Sequence, residues 1–195
     1  AALLLVLTGL LAGCVSSGST DPLRTDEGRQ QARDAYIQLG IGYLQQGAAA
    51  RAKTPLRKAL EIDPNSADAH AALALVFQTE MENELADKHY REALSSRKDA
   101  RILNNYGSFL FEQKRYPEAM ERFRQASEDN MYSERARVFQ NLGMTALQLG
   151  QREEAELHFT RSLRLDSRQP RALLELAIMA FEDKQYVPAK RYYDS

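Results

Sequence analysis

The sequence predicts an all-α fold: a superhelix of antiparallel helix pairs, preceded by a signal peptide and a flexible tether. Three observations predict it. Small residues recur at Gly40, Ala74, Gly107, Gly143 and Ala177, at spacings of 34, 33, 36 and 34. Alanines recur at Ala52, Ala86, Ala119, Ala155 and Ala189, and large residues at Leu56, Tyr90, Phe123, Phe159 and Tyr193, both with the same four spacings. A fixed period of this length marks stacked two-helix units, each burying its apolar face against the next.

The chain opens with AALLLVLTGLLAG, an apolar run over residues 1–13. A transmembrane helix needs ~20 such residues, so this run has the length of the h-region of a signal peptide, truncated because no basic residues precede it. Cys14 is the only cysteine, so it has no internal disulfide partner. Leu11, Ala12, Gly13 and Cys14 resemble the lipobox of bacterial lipoproteins. Small residues there let a peptidase grip extended backbone, and the thiol accepts diacylglycerol through a thioether. The resemblance implies cleavage before Cys14 and lipidation of Cys14. Each buried methylene stabilises attachment by ~0.8 kcal/mol, so two or three acyl chains make it effectively permanent. Val15, rather than Asp, follows Cys14; by resemblance to enterobacterial lipoproteins this favours an outer-membrane, lipid-anchored location facing the periplasm.

Residues 14–32 carry the lipidated Cys14 and a stretch rich in Ser, Gly, Thr and charge. Such a stretch buries too little apolar surface to fold alone. As a flexible coil, eighteen residues reach ~20–25 Å.

Residues 33–195 form the repeat array, with units expected at about 33–66, 67–99, 100–135, 136–169 and 170–195, the last truncated. The period and the small/large pattern resemble the tetratricopeptide repeat. In the first unit Tyr36, Leu39, Gly40, Tyr43, Ala52, Leu56, Ala59 and Pro64 fill all eight signature positions, with Tyr36 where Trp is usual. Later units depart from the pattern. Lys98 replaces the closing proline, two extra residues fall near Asn130–Ser133 beside Met131, and Ser162 and Ser167 stand for Ala and Pro. Pro117 and Pro188 sit where second helices begin, a tolerated place for proline. Pro55 falls inside the second helix of the first unit, where it removes a backbone bond at a cost of ~3 kcal/mol; a kink or a late start is expected there.

The charges nearly cancel, 26 basic against 27 acidic, which gives no electrostatic case for nucleic acid. His89 and His158 share one repeat position, which is repeat register rather than metal-ligand spacing. No glycine-rich phosphate loop or nucleophile–base pair is present. The reading is therefore of a non-enzyme with no catalytic residues, metal, cofactor or small-molecule substrate.

Positions 2, 5, 9 and 12 of each unit point into the concave surface of such an array. They place Ile37, Ile41 and Leu44 of the first unit, Leu75 (beside Ala71) of the second, Phe111 with Asn104 and Ser108 of the third, and Met144 and Leu147 with Gln140 of the fourth along one row. Leu174, Ile178 and Phe181 continue it in the fifth. Contiguous apolar surface of this kind marks interaction sites, while superhelical curvature is the competing way to bury it. Apolar walls with amides at Asn104 and Asn105 suit an extended strand or an amphipathic helix. Chaperone-binding repeats hold a terminal carboxylate with Lys and Asn at concave positions occupied here by Ile37 and Ile41, so that role is excluded.

A lipoprotein signal, a short tether and this array, including LQQGAAARAKTPLRKALEIDPNSADAHAALALVFQ and NNYGSFLFEQKRYPEAMERF, together resemble the type IV pilus pilotins of the PilF/PilW kind. The resemblance implies an outer-membrane lipoprotein that binds secretin subunits and promotes their localisation and multimerisation, as pilus biogenesis and twitching motility require. It also implies six repeats, one or so beyond this sequence. The alternative is a scaffold lipoprotein for envelope enzymes or outer-membrane assembly factors. A site hidden between repeats would be betrayed by a bound metal or cofactor.

Overall fold

The computed structural model describes residues 22–195; the signal sequence and Cys14 lie outside the described residues. A 3-10 turn over Pro22–Arg24 leads into ten α-helices. They are α1 (Asp26–Gln45), α2 (Ala49–Ile62), α3 (Ala67–Thr79), α4 (Asn83–Ser96), α5 (Ala100–Glu112), α6 (Tyr116–Ser127), α7 (Arg135–Gln148), α8 (Arg152–Leu165), α9 (Pro170–Glu182) and α10 (Tyr186–Tyr193). Each odd-numbered helix packs against the next even-numbered one as a hairpin, and each hairpin stacks on its successor, α2 on α3, α4 on α5, α6 on α7 and α8 on α9. The result is the tetratricopeptide superhelix.

A small residue on the first helix lies beneath a large one on the second. A Cβ placed on Gly40 would come within 2.5 Å of Leu56 Cγ, one on Gly107 within 2.7 Å of the Phe123 ring, and one on Gly143 within 2.5 Å of the Phe159 ring. Leu56, Tyr90, Phe123 and Phe159 are all fully buried, as are Ala52, Ala86, Ala119 and Ala155. The three sequence registers are thus the two sides of one contact and the alanine that lets the backbones approach. The fifth hairpin departs: Tyr193, expected to pack between helices, is 78% exposed at the very end of α10, while its neighbour Tyr192 packs against the core.

The three-residue turns inside the hairpins repeat as strictly. Gly47, Met81, Lys114, Gly150 and Lys184 all adopt positive φ, between 59° and 72°. At each, the next N–H bonds back to a carbonyl five residues earlier: Ala48 to Tyr43, Glu82 to Phe77, Arg115 to Leu110, Gln151 to Ala146 and Gln185 to Ala180, at 2.8–2.9 Å. This is the glycine-favouring helix stop, here imposed on Met and Lys in three of five turns.

Two expectations are corrected. First, residues 26–32, assigned to the tether, are the first two turns of α1. Thr25 Oγ1 accepts the Gly28 N–H at 3.0 Å, and Asp26 and Glu27 complement the helix dipole in the first turn. Second, α2 does not start late: it runs unbroken from Ala49 through Pro55 to Ile62. The carbonyl deprived of its partner belongs to Arg51, an exposed residue, and the Pro55 ring is buried in the core. Pro117 and Pro188 lie in the first turns of α6 and α10. Ser162, in an alanine's place, is fully buried and donates to the Ala136 carbonyl at 2.8 Å.

The contact between small and large residues is testable. Overpacking costs about 1–3 kcal/mol and alanine's better helix propensity returns at most about 1, so Gly143→Ala is expected to destabilise by about 1–2 kcal/mol. Gly42, on α1 with nothing within 4 Å of its would-be Cβ, is the control. Gly42→Ala is expected to stabilise by about 0.5–1 kcal/mol. Urea unfolding measures both.

Candidate functional site

The concave row divides by depth. At the fifth position of the first three units the side chain is buried by the neighbouring hairpin: Ile37 is 5%, Ala71 2% and Asn104 4% exposed, whereas Gln140 is half-buried and Leu174 exposed in the last two. Ile37 packs with Ala59 and Ala69 and forms floor rather than contact surface. At the ninth and twelfth positions, Ile41, Leu44, Leu75, Phe111, Met144 and Leu147 are half-buried. Curvature and groove therefore share the row.

Ile37, Ile41, Leu44 and Leu75 come together in one cavity of about 950 Å³ between α1, α3 and α5. Ala72, Thr79 and Asn105 complete its lining, with Gln38 and Gln45 along α1. Of these, only Asn105 stands out in the sequence; the helical spacing from Asp68 and Leu75 places Ala72 and Thr79 on the same face, and Gln38 and Gln45 follow from the spacing of Ile41 and Leu44. Phe111, Met144 and Leu147 do not line this cavity and pack instead against the central core. Beside it, the buried Asn104 accepts from Asn141 Nδ2 at 3.0 Å. Leu174, Ile178 and Phe181 are exposed on α9, at 43, 41 and 63%.

Charged pairs rim the cavity. Arg33 bridges Asp34 at 2.8 Å and Asp63 at 3.1 Å. Asp68 holds both Arg97, at 3.0 Å, and Arg101, at 2.6 Å. Burial pushes the Asp68 carboxyl upward, but Arg97 and Arg101 together hold it below its ordinary value. These pairs leave the apolar floor open.

Behind the cavity wall, α3 and α4 meet through two histidines. His70 Nε2 lies 3.0 Å from the Pro64 carbonyl, and the two Nδ1 atoms of His70 and His89 are 2.9 Å apart. A carbonyl only accepts, so Nε2 of His70 carries a proton, and the Nδ1–Nδ1 contact takes a proton on one ring and a lone pair on the other. His89 stacks on Phe77, with centroids 5.3 Å apart. Burial, then the neighbouring His70 and Lys88, push His89 down to about 4. Burial likewise lowers His158, against the upward pull of Glu154 at 3.4 Å. Among the described residues no group of three or more His, Cys, Asp or Glu could hold a metal ion, and no helix is long and apolar enough to cross a membrane.

Two family models described as tetratricopeptide repeat match residues 34–66 and 98–168. The chain is 59% identical over its whole length to the type IV pilus assembly protein PilF of Pseudomonas aeruginosa, spanning 77% of that protein. The solved structure of Pseudomonas aeruginosa PilF superposes with a TM-score of 0.84 at 60% identity, over 86% of this chain and 76% of that one. The structure of PilW, described as a widely conserved type IV pilus biogenesis factor, superposes with a TM-score of 0.75 at 30% identity, over 84% of this chain and 76% of that one.

The histidine pair predicts a pH response. A base whose folded pKa is depressed leaves stability intact above its unfolded value, ~6.5, and costs stability as pH falls below it. Melting temperature is expected to fall between pH 6.5 and 5, a window above the titration of ordinary carboxylates. His89→Asn keeps a hydrogen-bonding partner for His70 and removes the titrating ring, so it should flatten much of that slope.

Proposed function

The chain belongs to the PilF/PilW family of type IV pilus assembly proteins, and from that premise we propose that it is a pilotin, a lipid-anchored carrier of the pilus secretin. On this reading Cys14 is acylated after signal cleavage and holds the protein on the periplasmic face of the outer membrane. The groove of the first three hairpins binds a segment of the secretin subunit. The anchor then delivers the bound subunit to the membrane in which the ring assembles.

The observation that carries the reading is the apolar cavity formed by Ile37, Ile41, Leu44, Ala72 and Leu75. It lies in the hairpins nearest the lipid. Contiguous apolar surface in a concave, rimmed site is what a partner segment needs. Tethering raises the effective concentration of captured subunits at the membrane without any new contact. The role asks for no bond-making chemistry: selectivity comes from the groove and location from the lipid.

The test is capture of purified secretin subunits by variants with a carboxylate in the cavity. Placing a polar group there costs about 1–3 kcal/mol, or roughly 5- to 150-fold in affinity. Ile41→Glu, Leu44→Glu and Leu75→Glu are each expected to lose capture to that extent while keeping their helical circular dichroism. Folded variants that capture the secretin at full strength would remove the groove from the mechanism.

A further inference from the structure

The second position of the units forms a ladder of charge along one edge of the concave surface. It reads Asp34, Asp68, Arg101, Arg137 and Arg171, acidic in the first two hairpins and basic in the next three. Asp34, Asp68 and Arg101 line the groove directly, and Arg171 reaches Met144, a ninth-position groove residue, through Nε to Sδ at 3.4 Å. Each arginine stands two helical turns before an inner residue of its own helix: Ser108, Met144 and Ile178.

The three arginine side chains are 46, 58 and 53% exposed. Arg101 holds Asp68 through one terminal nitrogen at 2.6 Å, Arg137 holds Glu134 through one at 2.5 Å, and Arg171 holds Glu175 through Nε at 3.0 Å. A guanidinium has five N–H donors, so each arginine keeps most of its fork free. Exposed pairs of this kind contribute little and exchange readily for a better-placed carboxylate, which arginine holds through two bonds.

We propose that the edge formed by α5, α7 and α9 binds an acidic amphipathic helix of a partner protein, with carboxylates on Arg101, Arg137 and Arg171 and apolar side chains over Phe111, Met144, Leu147 and Ile178. Packed helices lie about 8–10 Å apart. Seven residues of a partner helix rise about 10 Å, so acidic residues at heptad spacing meet successive arginines. Apolar residues at the third and sixth positions after each carboxylate form a neighbouring stripe on the same helix. The change of sign at Asp68 and Arg101 ends the site at the third hairpin. The inference extends the groove reading above, whose cavity lies in the first three hairpins, and rests on it for the role of the concave face.

The experiment is fluorescence anisotropy of a labelled helical peptide with Glu at three heptad-spaced positions and Leu between them, titrated with the purified chain. Binding is expected, weakening as salt rises. The same peptide with Lys for Glu is expected to bind at least tenfold more weakly. The double variant Arg137→Glu/Arg171→Glu should lose at least tenfold for the acidic peptide, with circular dichroism unchanged. Equal binding of the two peptides, no binding of either, or an unaffected double variant overturns the ladder. Secretin capture keeps the two readings apart: capture at full strength by folded Leu75→Glu sinks the cavity, while the peptide titration decides the ladder.

Discussion

The stack depends on one contact: a residue with almost no side chain on the first helix of each of the first four hairpins, pressed beneath a large one on the second. Gly40 under Leu56, Gly107 under Phe123 and Gly143 under Phe159 leave no room for a Cβ. The large partners are completely excluded from water. Because the same contact recurs at one period through the first four hairpins, each holds its two helices together at the same register. Stacking equal hairpins then lines up equivalent positions of the first helices, and a groove appears without any residue being selected for it locally. The buried alanines keep the second helix close along its length, and the left-handed turn residues return the chain after one short loop.

The groove inherits its chemistry from what the stacking leaves uncovered. In the first three hairpins the fifth-position side chains are buried by the neighbouring hairpin, so Ile37, Ala71 and Asn104 serve the fold. Ninth- and twelfth-position side chains stay partly open, and in the first hairpins these are Ile41, Leu44 and Leu75. The same logic appears at the start of the stack. The seventh-position residues Leu73, Tyr106, Leu142 and Leu176 are at most 3% exposed, whereas Leu39 on α1 is 48% exposed because no hairpin precedes it among the described residues.

Much of this was legible in the sequence because it is periodic. The all-α class and the small/large registers required only a constant spacing. What stayed hidden was not periodic in residue type. Gly47, Met81, Lys114, Gly150 and Lys184 form a register as regular as the others in backbone angle, but Met and Lys conceal it: the hairpin imposes the left-handed conformation on whatever residue occupies the turn. The start of α1 was missed because polar composition outweighed a local cap, Thr25 with Asp26 and Glu27 behind it. Pro55 was given too much weight, since propensity yields to a helix held in place by its packed face. Among the groove residues, Ile41, Leu44 and Leu75 line the cavity, but the burial of Ile37 and the inward packing of Phe111, Met144 and Leu147 come from superhelical curvature, a property of the stack rather than of any one unit.

On the proposed function, repeat geometry supplies the surface and an acylated Cys14 the address, and the carrier role needs both in one chain. The most direct measurement is the membrane fractionation of the secretin in cells carrying Cys14→Ser, with the signal sequence intact and protein levels matched. The account predicts that the secretin ring is lost or stranded in the inner membrane, because the groove still binds but nothing takes the subunit outward. A ring assembled normally in the outer membrane would contradict it.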